Sequence, residues 1–183
     1  MINQTEISLA RHCISYAIAS GASAARVSLS KSVTDAYTIL NGELDKVSHS
    51  ADRSIYLYLF ADGRYGTFST NRLEEKELEE FIVKAIEMVR MLGEDECRRL
   101  PDPERTAKDA VTGRELGLFD ETYYGISAEN RLEGALRLSR FDQIGKEAAG
   151  YRLISEECEY SCTADDNYLA DSNGFEGRHS ETT

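Results

Sequence analysis

The 183-residue sequence predicts an α+β fold, in which helices pack on a mixed, mainly antiparallel sheet. Three observations predict it: an apolar stripe at helical spacing opens the chain, alternating strand patterns follow, and Asn-Gly or Asp-Gly pairs separate the strands. The order of these signals predicts two similar helix–strand–strand units, from Glu6 to Gly42 and from Ala128 to Gly174. We expect the second unit to be truncated.

The first helix is predicted over residues 5–20. Asn3 and Glu6 can cap its start as a reciprocal pair, and Gly21 can end it. Its buried stripe is Ile7, Ala10, Ile14, Ala17 and Ile18. The alternating segment Val27-Ser28-Leu29-Ser30 then predicts a strand with one buried face.

Two hairpins are predicted next. Asn41-Gly42 joins the strand at residues 37–40 to a return strand through Leu44 and Val47, because both turn residues tolerate positive φ. The run Ile55–Phe60 is apolar on both faces, which is typical of a central strand covered on each side. Asp62-Gly63 then turns the chain into a pairing strand over residues 64–69.

A second helix is predicted to begin at the cap Asn71, with Glu74 as its reciprocal partner. Its inward stripe is Leu78, Phe81, Ile82, Ala85, Val89 and Leu92. The acidic run over residues 74–80 suits the positive end of the helix dipole. We interpret it as a solvated helix start rather than a metal cluster.

Both prolines lie in a polar stretch that divides the chain. We predict an N-terminal domain over residues 1–93, a connector over 94–114, and the start of a middle domain over 115–183. In this last part, Ser127 caps a helix, and strands follow over residues 151–163 and 168–172. The chain stops soon after Asn173-Gly174, where a return strand is expected, so we expect it to be incomplete at its C-terminus.

Composition excludes several classes of protein. The formal net charge of −12 repels a phosphate backbone and argues against direct nucleic-acid binding. The longest apolar run, residues 55–61, is far short of the roughly 20 residues that cross a bilayer, and the first residues lack a signal-peptide pattern. These features predict a cytoplasmic protein whose four cysteines are reduced thiols.

No catalytic, cofactor-binding or metal-binding residue is predicted. His12, His49 and His179 are far apart and in no HExxH-like spacing, whereas a zinc site needs three or four convergent ligands. We interpret His12 as a packed or surface residue. The Gly63–Gly66 segment superficially resembles a KH-module loop but lies in a hairpin, and Asp165-Asp166 is interpreted as a turn pair.

The order and spacing of four short motifs resemble the N-terminal part of the TldD/PmbA family, also called modulators of DNA gyrase. The motifs are Asn41-Gly42-Glu43, the segment Asp62–Thr70, Leu118-Phe119-Asp120, and the segment Asp171–Gly177. The resemblance covers essentially the whole chain. The connector and the Leu-Phe-Asp motif are more similar to the PmbA (TldE) branch than to the TldD branch.

This resemblance implies a bacterial or archaeal cytosolic protein linked to the proteolysis of peptides. In the family, TldD and its PmbA-like partner form a heterodimer that encloses a chamber, and catalysis is attributed to a zinc motif of HExxxH type in TldD. That motif is missing here. The resemblance therefore implies a noncatalytic portion of a complex subunit, with zinc held by the catalytic partner and no activity of the chain alone.

Two alternatives remain open beside this hypothesis. The chain could be a stand-alone acidic protein-interaction module, or itself a hydrolase, which chelator-sensitive peptide cleavage would reveal. Residues 151–175 discriminate the first alternative: a self-sufficient module should bury this hairpin, whereas a truncated one should leave it exposed or paired with another chain. For a truncated chain we expect an exposed apolar edge, and hence self-association or pairing with a paralogous TldD-like subunit.

Overall fold

The structure is a computed structural model that describes residues 1–108, 112, 114–141 and 153–183. Its helices and strands confirm the predicted α+β class. The helices are α1 Gln4–Ala19, α2 Glu75–Arg90 and α3 Ala128–Leu138, and the strands are β1 Ala24–Leu40, β2 Glu43–Ala61, β3 Arg64–Thr70, β4 Glu157–Asp171 and β5 Glu176–Thr182. Single 3₁₀ turns lie at Pro103–Arg105, Arg114–Leu116 and Glu121–Gly125.

The strands form one five-stranded sheet in the order β3-β2-β1-β4-β5. β2 and β3 pair antiparallel, with Ile55 opposite Thr70. The Ser172 N–H donates to the Ala25 carbonyl, which joins the start of β1 to the end of β4, so these two strands also run in opposite directions. The sheet is antiparallel at these pairings, in agreement with the prediction.

Contacts divide the chain into two compact units that interleave along the sequence. Unit 1 consists of Met1–Lys31, Asp52–Gly117 and Asp165–Ser180. Unit 2 consists of Ser32–Ala51, Leu118–Ala164 and Glu181–Thr183. The domain boundaries at residues 93 and 115 stay predictions.

The core of unit 1 lies between its two helices and its strand segments. α1 and α2 contact each other, and α2 contacts β3. The largest fully buried side chains of this core are Leu29, Ile55, Leu57, Leu59, Leu78, Ile82 and Ile86. Burying one such side chain contributes about 1.5–3 kcal/mol, so this cluster is the main source of stability in unit 1.

Unit 2 has two smaller apolar clusters. In the first, Tyr37, Ile39 and Ala135 are buried, and in the second, Tyr123, Cys162 and Ala164 are buried. α3 is largely exposed: Ala135 is its fully buried residue, and Leu136 and Leu138 are 41% and 49% exposed.

The predicted cap of α1 and the two hairpin turns of the N-terminal half are confirmed. Asn3 and Glu6 form a complete capping box at the start of α1. Asn41 and Gly42 have φ of 52° and 85° in the turn from β1 to β2, and Asp62-Gly63 makes the same kind of turn from β2 to β3. These positions show that short-range sequence chemistry determines where the chain reverses.

Several predicted strand boundaries are wrong. The segments predicted at residues 27–30 and 37–40 belong to the single strand β1, and the return strand after Asn41-Gly42 continues to Ala61 as β2. Asp165-Asp166 is not a turn but lies in the middle of β4. The sequence pattern breaks β1 and β4 at polar residues that have distant partners in the structure, such as Thr34 with Thr163 and Asp166 with Arg178. In β2 the mostly polar residues 48–53 are exposed to solvent. A return strand, β5, also follows Asn173-Gly174.

Two further predictions need correction. The run Ile55–Phe60 lies in an interior strand, between β3 and β1, but it is not covered on both faces, because only alternate residues of the run are fully buried. α2 begins at Glu75 with Glu74 as its N-cap, which makes no side-chain cap hydrogen bond, so Asn71 does not cap it. Leu92 lies beyond the helix and is 47% exposed.

None of the helices in the described residues is long and apolar enough to span a bilayer.

Candidate functional site

One imidazole and two carboxylates converge on the surface of unit 1. His12 lies on α1, and Glu75 and Glu79 lie on the first turns of α2. One ligand atom from each of the three side chains lies within 4.8 Å of the other two. His12 Nε2 is 2.8 Å from Glu79 Oε1, which is a hydrogen-bond distance.

Helix geometry explains how these side chains meet. Glu75 and Glu79 are four residues apart, so they lie one turn apart on the same face of α2. On α1, the buried residues Ala10, Cys13 and Ala17 lie on the apolar face, and His12 lies beside them at its edge. The His12 ring also contacts the Tyr16 ring, with 5.8 Å between centroids, which restricts the orientation of the imidazole.

The negative charges of this cluster affect a buried thiol beside it, that of Cys13. Burial, with a smaller contribution from the charges of Glu75 and Glu79, raises the pKa of Cys13 to about 12. Cys13 is fully buried and is a free thiol. A thiol with so high a pKa is inert at neutral pH, so we do not count it among the reactive groups of the site.

An open groove adjoins the cluster. Its volume is about 610 Å³, and its lining includes Tyr16 and Glu79 together with Lys76, Lys84 and Glu87 of α2. The side chains of His12 and Glu79 are 35% and 29% exposed, so solvent reaches both. The cluster is therefore accessible to a small ion or ligand.

Sequence reasoning did not identify this site. The i, i+4 spacing of Glu75 and Glu79 is visible in the sequence, but it is lost within the longer acidic run over residues 74–80. His12 is some sixty residues away in the chain, and only the packing of α1 on α2 places it beside them.

The other two histidines do not join the cluster. His49 lies in unit 2, where its Nδ1 is 2.8 Å from Asp35 Oδ1. Arg131 also reaches that carboxylate, with Nη1 at 3.2 Å from Oδ2. His179 lies on β5.

Asp166 forms a different kind of polar cluster, which is buried. Its carboxylate accepts hydrogen bonds from the Arg178 guanidinium, the Ser180 hydroxyl and the Ile2 N–H. Burial by itself raises the pKa of Asp166, but these donors outweigh it and hold that pKa below its ordinary value. Every partner stabilises the charged carboxylate, so this cluster is a structural ion pair.

Comparison with known proteins places the chain in a family. Residues 25–89 match the family model described as PmbA/TldA metallopeptidase domain 1. The crystal structure of a "putative modulator of DNA gyrase" from Bacteroides thetaiotaomicron VPI-5482 is 33% identical and has a TM-score of 0.82. That similarity covers 100% of this chain and 40% of the other one. The chain belongs to the TldD/PmbA family.

Two more distant structures share the fold of this TldD/PmbA-family chain. TldE from Thermococcus kodakarensis is 16% identical with a TM-score of 0.69, covering 95% of this chain and 37% of its own. A second "putative modulator of a DNA gyrase", from Thermotoga maritima MSB8, is 14% identical with a TM-score of 0.64, covering 96% and 37%. The chain thus spans about two fifths of the length of these relatives. Comparison with curated proteins gave no match.

Proposed function

We propose that this chain is a noncatalytic portion of a TldD/PmbA-family subunit, of the PmbA (TldE) type, in a peptide-degrading metallopeptidase complex. The observation that carries this proposal is the match of residues 25–89 to metallopeptidase domain 1 of the family. In this proposal a paralogous TldD-like subunit holds the catalytic zinc, peptides are the substrates, and the complex acts in the cytoplasm. In this proposal the chain forms part of the chamber wall and of the contact between the subunits, and it does not hydrolyse peptides.

The outer edge of β2 supports a role in subunit contact. β3 pairs only with Ile55–Ala61 of β2. The earlier residues 43–53 of the same strand are all exposed, with Leu44 at 44% and Val47 at 53%. Unpaired strand edges recruit strands from other chains. We propose that the TldD-like subunit pairs with this edge.

Association and hydrolysis test this proposal together. The 183-residue chain is mixed with the TldD-like paralogue from the same genome, and the mixture is analysed by size-exclusion chromatography and for peptide cleavage. We expect co-elution, cleavage that a chelator stops, and no cleavage by the chain alone. Chelator-sensitive cleavage by the chain alone would overturn the noncatalytic assignment.

A matched pair of variants tests the edge itself. Val47→Lys places a charge on the exposed part of β2, and Met91→Lys places the same charge at an exposed apolar position, 83% exposed, after α2. We expect Val47→Lys to weaken co-elution and Met91→Lys to leave it unchanged. Equal behaviour of the two variants would exclude this edge as the contact surface.

One observation favours the second candidate function, a stand-alone acidic protein-interaction module. In β4, the side chains of Cys162, Ala164, Tyr168 and Ala170 are buried, whereas the truncated-chain hypothesis predicts that this segment is exposed or paired with another chain. That prediction is wrong for these residues. A chain that elutes alone in the presence of the TldD-like paralogue would support the interaction module.

A further inference from the structure

We propose that His12, Glu75 and Glu79 bind a divalent transition-metal cation of the Zn²⁺ or Co²⁺ type. The site lies on the two helices of unit 1, and the proposal is independent of the catalytic zinc assigned above to the partner subunit. It rests on the types of ligand, their separations, and their access to solvent.

The ligand types suit this class of cation. Imidazole nitrogen and carboxylate oxygen are common Zn²⁺ ligands, whereas Ca²⁺ and Mg²⁺ prefer all-oxygen sites. Glu75 lies in the first turn of α2, where the helix dipole favours a negative charge, and Glu79 lies one turn further on the same face. Two carboxylates and one neutral imidazole on one ion balance the charge of a divalent cation.

The separations are close to those of a coordination sphere. Bonds from Zn²⁺ to nitrogen or oxygen are about 2.0–2.2 Å long, so two ligand atoms on one ion lie at most roughly 4.4 Å apart. The three ligand atoms already lie within 4.8 Å of one another, and those of His12 and Glu79 are 2.8 Å apart. Small rotations of the exposed Glu75 and partly exposed Glu79 side chains bring all three within bonding distance of one ion.

Three protein ligands leave at least one coordination position free, as in catalytic rather than structural zinc sites. The groove beside Glu79 gives water or a small anionic group access to that position. The alternative interpretation is that the contact between His12 and Glu79 is only a hydrogen bond between α1 and α2. The metal site and the hydrogen bond predict different responses to added Zn²⁺, so an experiment can distinguish them.

The experiment uses the 183-residue chain after chelator treatment, titrated with ZnCl₂ by calorimetry and with CoCl₂ by visible absorption. We expect one strong site per chain and a ligand-field spectrum typical of nitrogen and oxygen ligands. His12→Gln, Glu75→Gln and Glu79→Gln should each weaken Zn²⁺ binding by about tenfold or more, since even outer-shell changes cost that much. Circular dichroism checks that each variant is folded.

Two matched controls lie outside the cluster. His49→Gln removes an imidazole from unit 2, and Glu87→Gln removes a carboxylate that lines the same groove. Both should bind Zn²⁺ with unchanged affinity. The proposal is overturned if the chain binds no Zn²⁺, if the His49 variant loses binding, or if the three cluster variants lose only thermal stability while keeping their Zn²⁺ affinity.

Discussion

Asp166 and Arg178 form a buried two-point ion pair between the neighbouring strands β4 and β5. Arg178 donates from Nε to Oδ1 at 2.8 Å and from Nη2 to Oδ2 at 2.5 Å. The Asp166 side chain is 1% exposed, and the Ile2 N–H at 2.6 Å and the Ser180 hydroxyl at 2.9 Å complete its hydrogen bonds. Such geometry compensates for the cost of removing the carboxylate from water.

Asp166→Asn should lower the free energy of unfolding by about 3 kcal/mol, because it leaves the Arg178 guanidinium without its charge partner. Urea denaturation measures this change. The matched control is Glu133→Gln, which breaks the exposed Glu133–Arg137 pair on α3, whose side chains are 63% and 75% exposed. That control should cost less than about 1 kcal/mol. Similar losses in the two variants would contradict the structural role of the buried pair.

The same carboxylate should make stability depend on pH. The pKa of Asp166 is below its ordinary value in the folded protein, so folding is favoured wherever the carboxylate is charged in both states. That contribution is complete above the unfolded pKa of about 3.9 and is lost as the pH falls through the lower folded pKa. Plots of unfolding free energy against pH should therefore be steeper at acid pH for the natural chain than for Asp166→Asn. Parallel plots would show that Asp166 titrates normally.

Gly63 and Gly93 provide a matched test of backbone strain. A Cβ added at either position meets no atom within 4 Å, but Gly63 has φ of +71° whereas Gly93 has no such positive φ. Gly63→Ala should therefore cost about 1–2 kcal/mol through left-handed strain. Gly93→Ala should be neutral or stabilise the fold by up to about 1 kcal/mol. Thermal unfolding of the two variants decides, and an equal shift in both would refute the conformational explanation.

The cysteines should differ in reactivity. Cys97 is exposed, whereas Cys13 is buried and burial raises its pKa to about 12. A thiol reagent at neutral pH should label Cys97 in the native chain and Cys13 only when unfolding exposes it. Mass spectrometry locates the label. Cys97→Ser should abolish the labelling that occurs rapidly in the native chain. Labelling of Cys13 before Cys97 would mean that the helical core opens readily.

Patterns that act over a few residues were predictable from the sequence. The capping box of Asn3 and Glu6, the turn at Asn41-Gly42, and the stripe through Leu78 and Ile82 all appear as expected. Each depends on local backbone chemistry or helix periodicity, which neighbouring residues determine.

Strand lengths and the candidate site were not predictable. Polar residues inside a strand pattern usually indicate a turn, yet β1 continues through Thr34, whose hydroxyl bonds to that of Thr163. β4 likewise continues through Asp166 because Arg178 pairs with it. His12 meets Glu79 only because two helices pack together. These partners are distant in the chain, so no local pattern contains them.

The amino-acid order alone determined the α+β class and the hairpin turns at Asn41-Gly42 and Asp62-Gly63, since these follow from side-chain periodicity and from residues that tolerate positive φ. The family follows instead from the likeness of the sequence to known proteins. Folding in three dimensions decided which polar groups became partners, because a buried charge is stable only where a distant residue supplies its hydrogen bonds. The same packing of α1 on α2 decided where an imidazole and two carboxylates meet.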